Sequence, residues 1–343
     1  MKYQNLLQVA FIGALLATAI GCNKNQDTLD SKITAAPITP AATTLPTAST
    51  TRTINDHQYQ FAGNKVSELT TDADDQATYG VISDAHGEVE KTRMVVQQFL
   101  DQKVEGIIFT GDLPNNEGLR SGEPDKNNDK TEIVDVLSAA ADTGLPIFVI
   151  PGNHERKPDY QAALHTVTSK YSNVIDMTTY RVFNGDDADF VSLPGYQTLR
   201  DLGRQFIPNE GYWAQPEDIR QLATLRQGLD DPVILVTHAG GKTNTHPGPT
   251  TIDNGEEVGD ELTTKIMQDA HIPFAVVGHI HEAGGLAATY NGTAVPPGDF
   301  VPQFTINFGT LQRWTYLDGK TRDFMAGSII IKGNEAKYEI IQP

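Results

Sequence analysis

Five short apolar runs, each cut off by a polar turn rich in Gly, Asp, Asn and His, constrain this chain more than any other feature. They are residues 77–83 (ATYGVIS), 106–110 (GIIFT), 146–150 (PIFVI), 232–236 (PVILV) and 273–277 (PFAVV). Each has the length and unbroken hydrophobicity of a strand buried on both faces. Residues 89–103 separate the first two and carry Met94, Val95, Phe99 and Leu100 at helical spacing. Residues 132–143 form a second helical stretch before the third run. Such alternation predicts an α/β fold with a mostly parallel sheet, and ligands of such sheets gather at the carboxyl ends of the strands. Two later runs, 303–307 and 327–331, are expected to be antiparallel and to belong to a second sheet.

The chemistry lies in the turns at the ends of these runs. The first run enters Asp84-Ala85-His86, the second Gly111-Asp112, and the third Gly152-Asn153-His154-Glu155. The fourth enters Thr237-His238 and the fifth Gly278-His279-Ile280-His281. Five of the chain's 9 histidines therefore sit on one predicted rim. Carboxylates, an amide oxygen and neutral imidazoles are the ligands of manganese, iron and zinc. Two such ions sharing a carboxylate can polarise a phosphoryl group and generate hydroxide. Each turn alone is an ordinary strand end; the ordered set of five is not.

The order Asp-x-His, Gly-Asp, Gly-Asn-His-Glu, His and Gly-His-x-His resembles the calcineurin-like metallophosphoesterase superfamily over about residues 77–310. The resemblance implies a four-layer α/β/β/α sandwich of two mixed sheets, with a dinuclear metal site at the strand ends. It implies that Asp84, His86 and His281 bind one metal ion and Asn153, His238 and His279 the other, with Asp112 bridging. His154 would be no ligand but the general acid or charge stabiliser at the leaving oxygen, opposite an attacking hydroxide that bridges the metals. Two divalent or trivalent ions (manganese, iron or zinc) are the cofactors expected, and no organic cofactor is needed. Asn307 and Gly309 in NFGT loosely resemble the Asn-Pro-Gly-Ser element that follows the last motif of the family. The protein Ser/Thr phosphatase branch reads Gly-Asp-x-Val-Asp-Arg where this chain has Gly111-Asp112-Leu113-Pro114-Asn115-Asn116. A phosphoprotein phosphatase of that branch is thereby disfavoured, and Glu155, which that branch shares, does not restore it.

Composition limits the partners. The 343 residues suffice for one large or two ordinary domains, and 44 acidic against 26 basic residues leave a net charge of −18. That charge repels nucleic-acid backbones and anionic headgroups, so no nucleic-acid binding is expected. The 1 cysteine excludes an internal disulfide. It lies at the end of a leader: Lys2, an apolar stretch from Leu6 to Ile20, then Gly21-Cys22. Ala19-Ile20-Gly21-Cys22 resembles a bacterial lipobox, which implies a signal peptide at 1–21 and an acylated Cys22 that anchors the protein to a lipid bilayer at the cell envelope. Asn23 rather than Asp after that cysteine favours outer-membrane sorting if the cell is an enterobacterium-like Gram-negative. Residues 22–52, rich in Thr, Ala and Pro, read as a tether that cannot build a core. The catalytic domain is expected at 53–343, with Tyr59, Phe61, Val66 and Leu69 as an N-terminal strand packed onto it.

Polar segments 113–130 and 239–259 flank the predicted rim and read as lid or specificity loops, or as plain surface. Arg156 and Lys157 stand where a phosphate could be touched, or form a solvated helix start, and Tyr212, Trp213 and Trp314 could stack on a base or sugar, or serve core or edge packing. The expected function is metal-dependent hydrolysis of small phosphate mono- or diesters at the envelope. A surface nucleotide or nucleotide-sugar hydrolase is the nearest alternative, and a non-catalytic metal-containing binding lipoprotein the alternative from another class.

Overall fold

Strand side chains point alternately to opposite faces, so a strand apolar throughout must be covered on both sides. The computed structural model describes residues 49–115, 129–197 and 211–343. β1 (Thr50–Ile54), β2 (His57–Ala62), β3 (Lys65–Glu68) and β4 (Gln76–Ile82) precede α1 (Val89–Gln102). β5 (Gly106–Phe109), α2 (Asp129–Ala141), β6 (Ile147–Val149) and α3 (Lys157–Lys170) come after it. Next come β7 (Val174–Asp176), β8 (Val182–Asn184), β9 (Asp189–Leu193), α4 (Pro216–Leu225), β10 (Val233–Thr237), α5 (Glu261–Asp269) and β11 (Phe274–Val277). The last elements are β12 (Ala287–Ala288), β13 (Ala294–Val295), β14 (Phe304–Asn307), β15 (Trp314–Thr315), β16 (Thr321–Arg322), β17 (Ala326–Lys332) and β18 (Glu335–Ile341).

One sheet runs β18-β17-β4-β5-β6-β7, parallel from β4 to β7 and antiparallel across β17 and β18. The other runs β1-β2-β3-β8-β9-β10-β11-β14-β12-β13, parallel from β9 through β14. Alternation decides the layers. Ile108, Phe148, Ile234, Val236, Phe274 and Val276 meet between the sheets. Their neighbours Ile107, Phe109, Ile147 and Val149 face outward onto Val95 and Phe99 of α1, Val136 and Leu137 of α2, and Tyr160 and Leu164 of α3. On the second sheet Val233, Leu235, Ala275 and Val277 face Ile219 and Leu222 of α4 and Met267 of α5. The four-layer α/β/β/α sandwich is thus the observed architecture. Each Val, Leu, Ile, Phe or Met among them contributes roughly 1.5–3 kcal/mol by leaving water. α5 is started by Asp260, whose Oδ1 accepts from the backbone N of Thr263 at 2.6 Å, satisfying one of the donors a helix start leaves open.

Two expectations are corrected. The strand at 303–307 is parallel to β11 on one side and antiparallel to β12 on the other, so it continues the parallel core of the second sheet. The run at 327–331 is antiparallel, but it pairs with β4 at the heart of the first sheet. Apolar runs alone do not encode direction. The folded sheet also starts at Thr50, inside the segment expected to be tether, because Thr50–Ile54 pairs antiparallel with His57–Ala62. Tyr59, Phe61 and Val66 are buried there, while Leu69, beyond the end of β3, is exposed. The leader and Cys22 lie outside the described residues, as does most of the 113–130 loop. Among the described residues, no helix is long and apolar enough to cross a membrane.

Candidate metal centre

The rim forms because the turns after β4, β5, β6, β10 and β11 bond to one another rather than to solvent. Asp84 N donates to Gly111 O at 3.0 Å, His86 N to Asp112 O at 3.0 Å, and Gly278 N to His238 O at 3.0 Å. The backbone turns so sharply there that Asp84, His86, Asp112 and His279 all have positive φ, at 49°, 45°, 54° and 66°. Four non-glycine residues in the left-handed region within one cluster store strain that the rest of the fold offsets, as functional sites do. Two glycines are required by close approach. A Cβ on Gly152 would lie 2.2 Å from Asp112 Oδ1, and one on Gly278 would lie 2.2 Å from Asp84 Oδ2.

Two ligand-competent groups result, Asp84 with His86 and His281, and Asp112 with His238 and His279, their donor atoms within 4.8 Å of one another in each group. In the first, His281 Nε2 lies 3.0 Å from Asp84 Oδ1 and 3.2 Å from His86 Nε2. In the second, His238 Nε2 lies 2.9 Å from Asn153 Oδ1 and 3.2 Å from Asp112 Oδ2. His154 stands beside both groups, its Nε2 3.7 Å from Asp112 Oδ2 and its ring 4.8 Å from that of His86. All eight residues named from the sequence are therefore at one place.

The donor chemistry fits a cation. A carbonyl only accepts, so His238 Nδ1, 3.0 Å from Thr110 O, carries a proton, and its Nε2 faces two oxygens. A ring nitrogen and two oxygens meet so closely only with a proton or a metal ion between them. His86 repeats the pattern, with Nδ1 3.2 Å from Pro114 O and Nε2 aimed at His281. Burial strips the proton from His279 and His86, whose pKa values fall to about 3 and about 4. Burial opposes ionisation of Asp84, yet His238 and His281 hold it down to about 2. Burial also opposes a charge on His238, but Asp112 and Asp84 outweigh it and lift that ring to about 9. A field that retains a proton so strongly retains a divalent cation by the same attraction.

Several further residues brace these turns. Glu155 is fully buried, and its two oxygens accept from Leu113 N and Gly152 N, both at 2.7 Å, tying the second turn to the third. Burial first, then Asp112, raises its pKa to about 8. Asn307 Nδ2 lies 2.9–3.0 Å from the carbonyls of Pro249, Gly278 and Ile280, so the NFGT element braces the last motif. Tyr196 packs its ring 4.5 Å from that of His279 and comes after β9 through Pro194-Gly195, a strand-then-glycine pattern like that of the motifs. The 239–259 loop is built, with Glu257 accepting from Thr243 Oγ1, Asn244 N and Thr250 Oγ1 at 2.9–3.0 Å. Arg156 pairs with Asp159 at 3.7 Å, and Lys157 lies over the Tyr212 ring at 5.5 Å.

The model of the calcineurin-like phosphoesterase family matches residues 77–283, more than half of the chain. The chain belongs to the calcineurin-like phosphoesterase family. Its chemistry is metal-dependent phosphoester hydrolysis. Among solved structures, TT1561 of Thermus thermophilus is 12% identical with a TM-score of 0.50, covering 78% of this chain and 98% of that one. GAP50, the anchor in the inner membrane complex of Plasmodium, is also 12% identical with a TM-score of 0.50, covering 78% of this chain and 84% of that one. These likenesses bear on the fold of this phosphoesterase. No curated protein matches it.

Proposed function

We propose that this phosphoesterase hydrolyses small phosphate mono- or diesters at a bacterial cell envelope. In this reading Asp84, His86 and His281 hold one ion, Asn153, His238 and His279 the other, Asp112 serves both, and Cys22 carries the lipid anchor. The observation that carries it is His238 Nε2 held 2.9 Å from Asn153 Oδ1 and 3.2 Å from Asp112 Oδ2, a convergence of three donor atoms that retains a cation. Two ions bound there would supply Lewis-acid polarisation of the phosphoryl group and hydroxide at neutral pH.

The chain supplies the rest. The Thr110 and Pro114 carbonyls fix the tautomers of His238 and His86, so each ring presents Nε2. The backbone N of His154 donates to Asp112 Oδ1 at 2.9 Å, which sets that carboxylate's plane. His154 Nδ1 is buried without a hydrogen-bond partner, and the ring stands at the edge of both groups, where Nε2 can pass a proton to the departing ester oxygen. Support for the anchor is the Gly21-Cys22 leader and the Thr/Ala/Pro composition after it.

The test is hydrolysis of bis-p-nitrophenyl phosphate and p-nitrophenyl phosphate by the metal-stripped protein, then with manganese, zinc or iron. Turnover should appear only with metal and should fall about 10²–10⁴-fold in His154→Ala. Asp112→Asn should lose metal and activity together. Metal-independent turnover, or a metal-loaded protein inert on both esters, would overturn the proposal, the second in favour of a binding protein.

A further inference from the structure

Of the five large hydrophobic side chains exposed among the described residues, Trp314 is the one whose ring touches a candidate metal ligand. It is 38% exposed, and its ring centroid lies 4.6 Å from that of His281, nearly perpendicular to it at 83°. An indole left more than a third in water beside a polar centre forfeits part of the hydrophobic gain of burial, so the fold must hold it there. The holding is visible. Leu311 N donates to Asp84 O at 3.1 Å, and Lys91 Nζ donates to Leu311 O at 2.9 Å. Gln312 Nε2 donates to Asn115 Oδ1 at 3.3 Å, just past the Pro114 carbonyl that orients His86. Beyond the ring, β15 pairs with β16 through Trp314 and Arg322, and Leu317 N donates to Glu282 O at 2.8 Å. The segment carrying Trp314 is thereby bonded to the turn after β4 on one side and to the turn after β11 on the other.

We infer that Trp314 is a specificity-determining residue, a stacking face for a planar aromatic group on the leaving side of the phosphoester. The inference rests on the phosphoester reading of the metal centre and adds the substrate class to it. Indole is the widest flat surface a side chain offers, and a planar ring one or a few bonds from a phosphate seated at the centre would come to rest on it. Aryl esters and nucleotides share that chemistry; glycerol or alkyl phosphates lack it. Stacking of one ring on an aromatic side chain gives about tenfold in affinity or more.

The experiment is calorimetric titration of the manganese-loaded protein with phenylphosphonate and methylphosphonate, whose P–C bonds are not hydrolysed. The protein should bind the phenyl compound about tenfold tighter or better. Trp314→Ala should bring the two close to equal, and Trp314→Phe should keep most of the difference. A phenyl preference that survives Trp314→Ala, or none in the unmodified protein, would overturn the role of Trp314 alone. Failure of both phosphonates to bind would overturn the phosphoester reading and the role of Trp314 with it. Adenosine monophosphate against ribose 5-phosphate, compared as a ratio of kcat/KM before and after Trp314→Ala, separates the two sources. A ratio that falls about tenfold assigns the ring to a nucleobase, and an unchanged ratio beside the phenyl effect assigns it to an aryl group.

Discussion

Gly152→Ala is the smallest change that should disable the centre. The added Cβ would sit 2.2 Å from Asp112 Oδ1, 2.8 Å from Asp112 N and 2.8 Å from His238 Cε1. Ordinary contact begins near 3.4 Å, so the carboxylate must yield by more than an ångström. It cannot rotate away cheaply. Oδ1 already accepts from His154 N, and Oδ2 faces His238. The turn from Pro151 to Asn153 must therefore shift, and Asn153 and His154 move with it. A misplacement of about 1 Å costs about 10²-fold in rate, or about 2.7 kcal/mol of transition-state stabilisation. Overpacking should add about 1–3 kcal/mol of lost stability. The assay is kcat/KM on the two nitrophenyl esters with manganese, alongside metal content and denaturant unfolding. Gly228→Ala is the control, since a Cβ there meets nothing within 4 Å and only its φ of 75° is disfavoured. Activity of Gly152→Ala within about threefold of the parent, with full metal content, would refute the reasoning that this approach sets the geometry.

Glu155→Ala leaves Leu113 N and Gly152 N without an acceptor, and at about 1–3 kcal/mol per buried unpaired donor the loss should be about 2–6 kcal/mol in urea unfolding. A loss below about 1 kcal/mol would show the brace to be dispensable. Asp189, buried beside Asn184 and Asp231, has its pKa raised by burial to about 7, against about 3.9 in the unfolded chain. The folded state holds more protons across that window, so this contribution is full below about pH 4 and is lost as the pH rises through about 7. Asp189→Asn should flatten the stability profile between those limits, and an unchanged slope there argues against the assignment. Cys22→Ser should release the protein from the membrane fraction; continued tight association would remove the lipid anchor from the proposal.

The site was largely legible because its signals are local. A buried strand followed by Gly, Asp or His is a few residues long, and five of them in order named Asp84, His86, Asp112, Asn153, His154, His238, His279 and His281. Glu155 gave no such signal for its bracing role, since only the fold shows that Leu113 N and Gly152 N converge on it. Tyr196 was missed because the run before it, Asp189–Leu193, carries a charge and a serine and does not read as a buried strand.

By itself the sequence determined which segments bury both faces, where each strand stops, and which metal-competent side chains stand at each stop. All of this comes from side-chain alternation and turn chemistry within about ten residues. Only the tertiary structure decided that Asp84 meets His281 across 197 positions of sequence, that β14 runs parallel to β11, that β17 lies against β4, and that Trp314 is held at the rim rather than in the core. Those outcomes depend on closing long loops and on which sheet edge gains a partner. Free energies of that kind are summed over the whole molecule, and no window of sequence contains them.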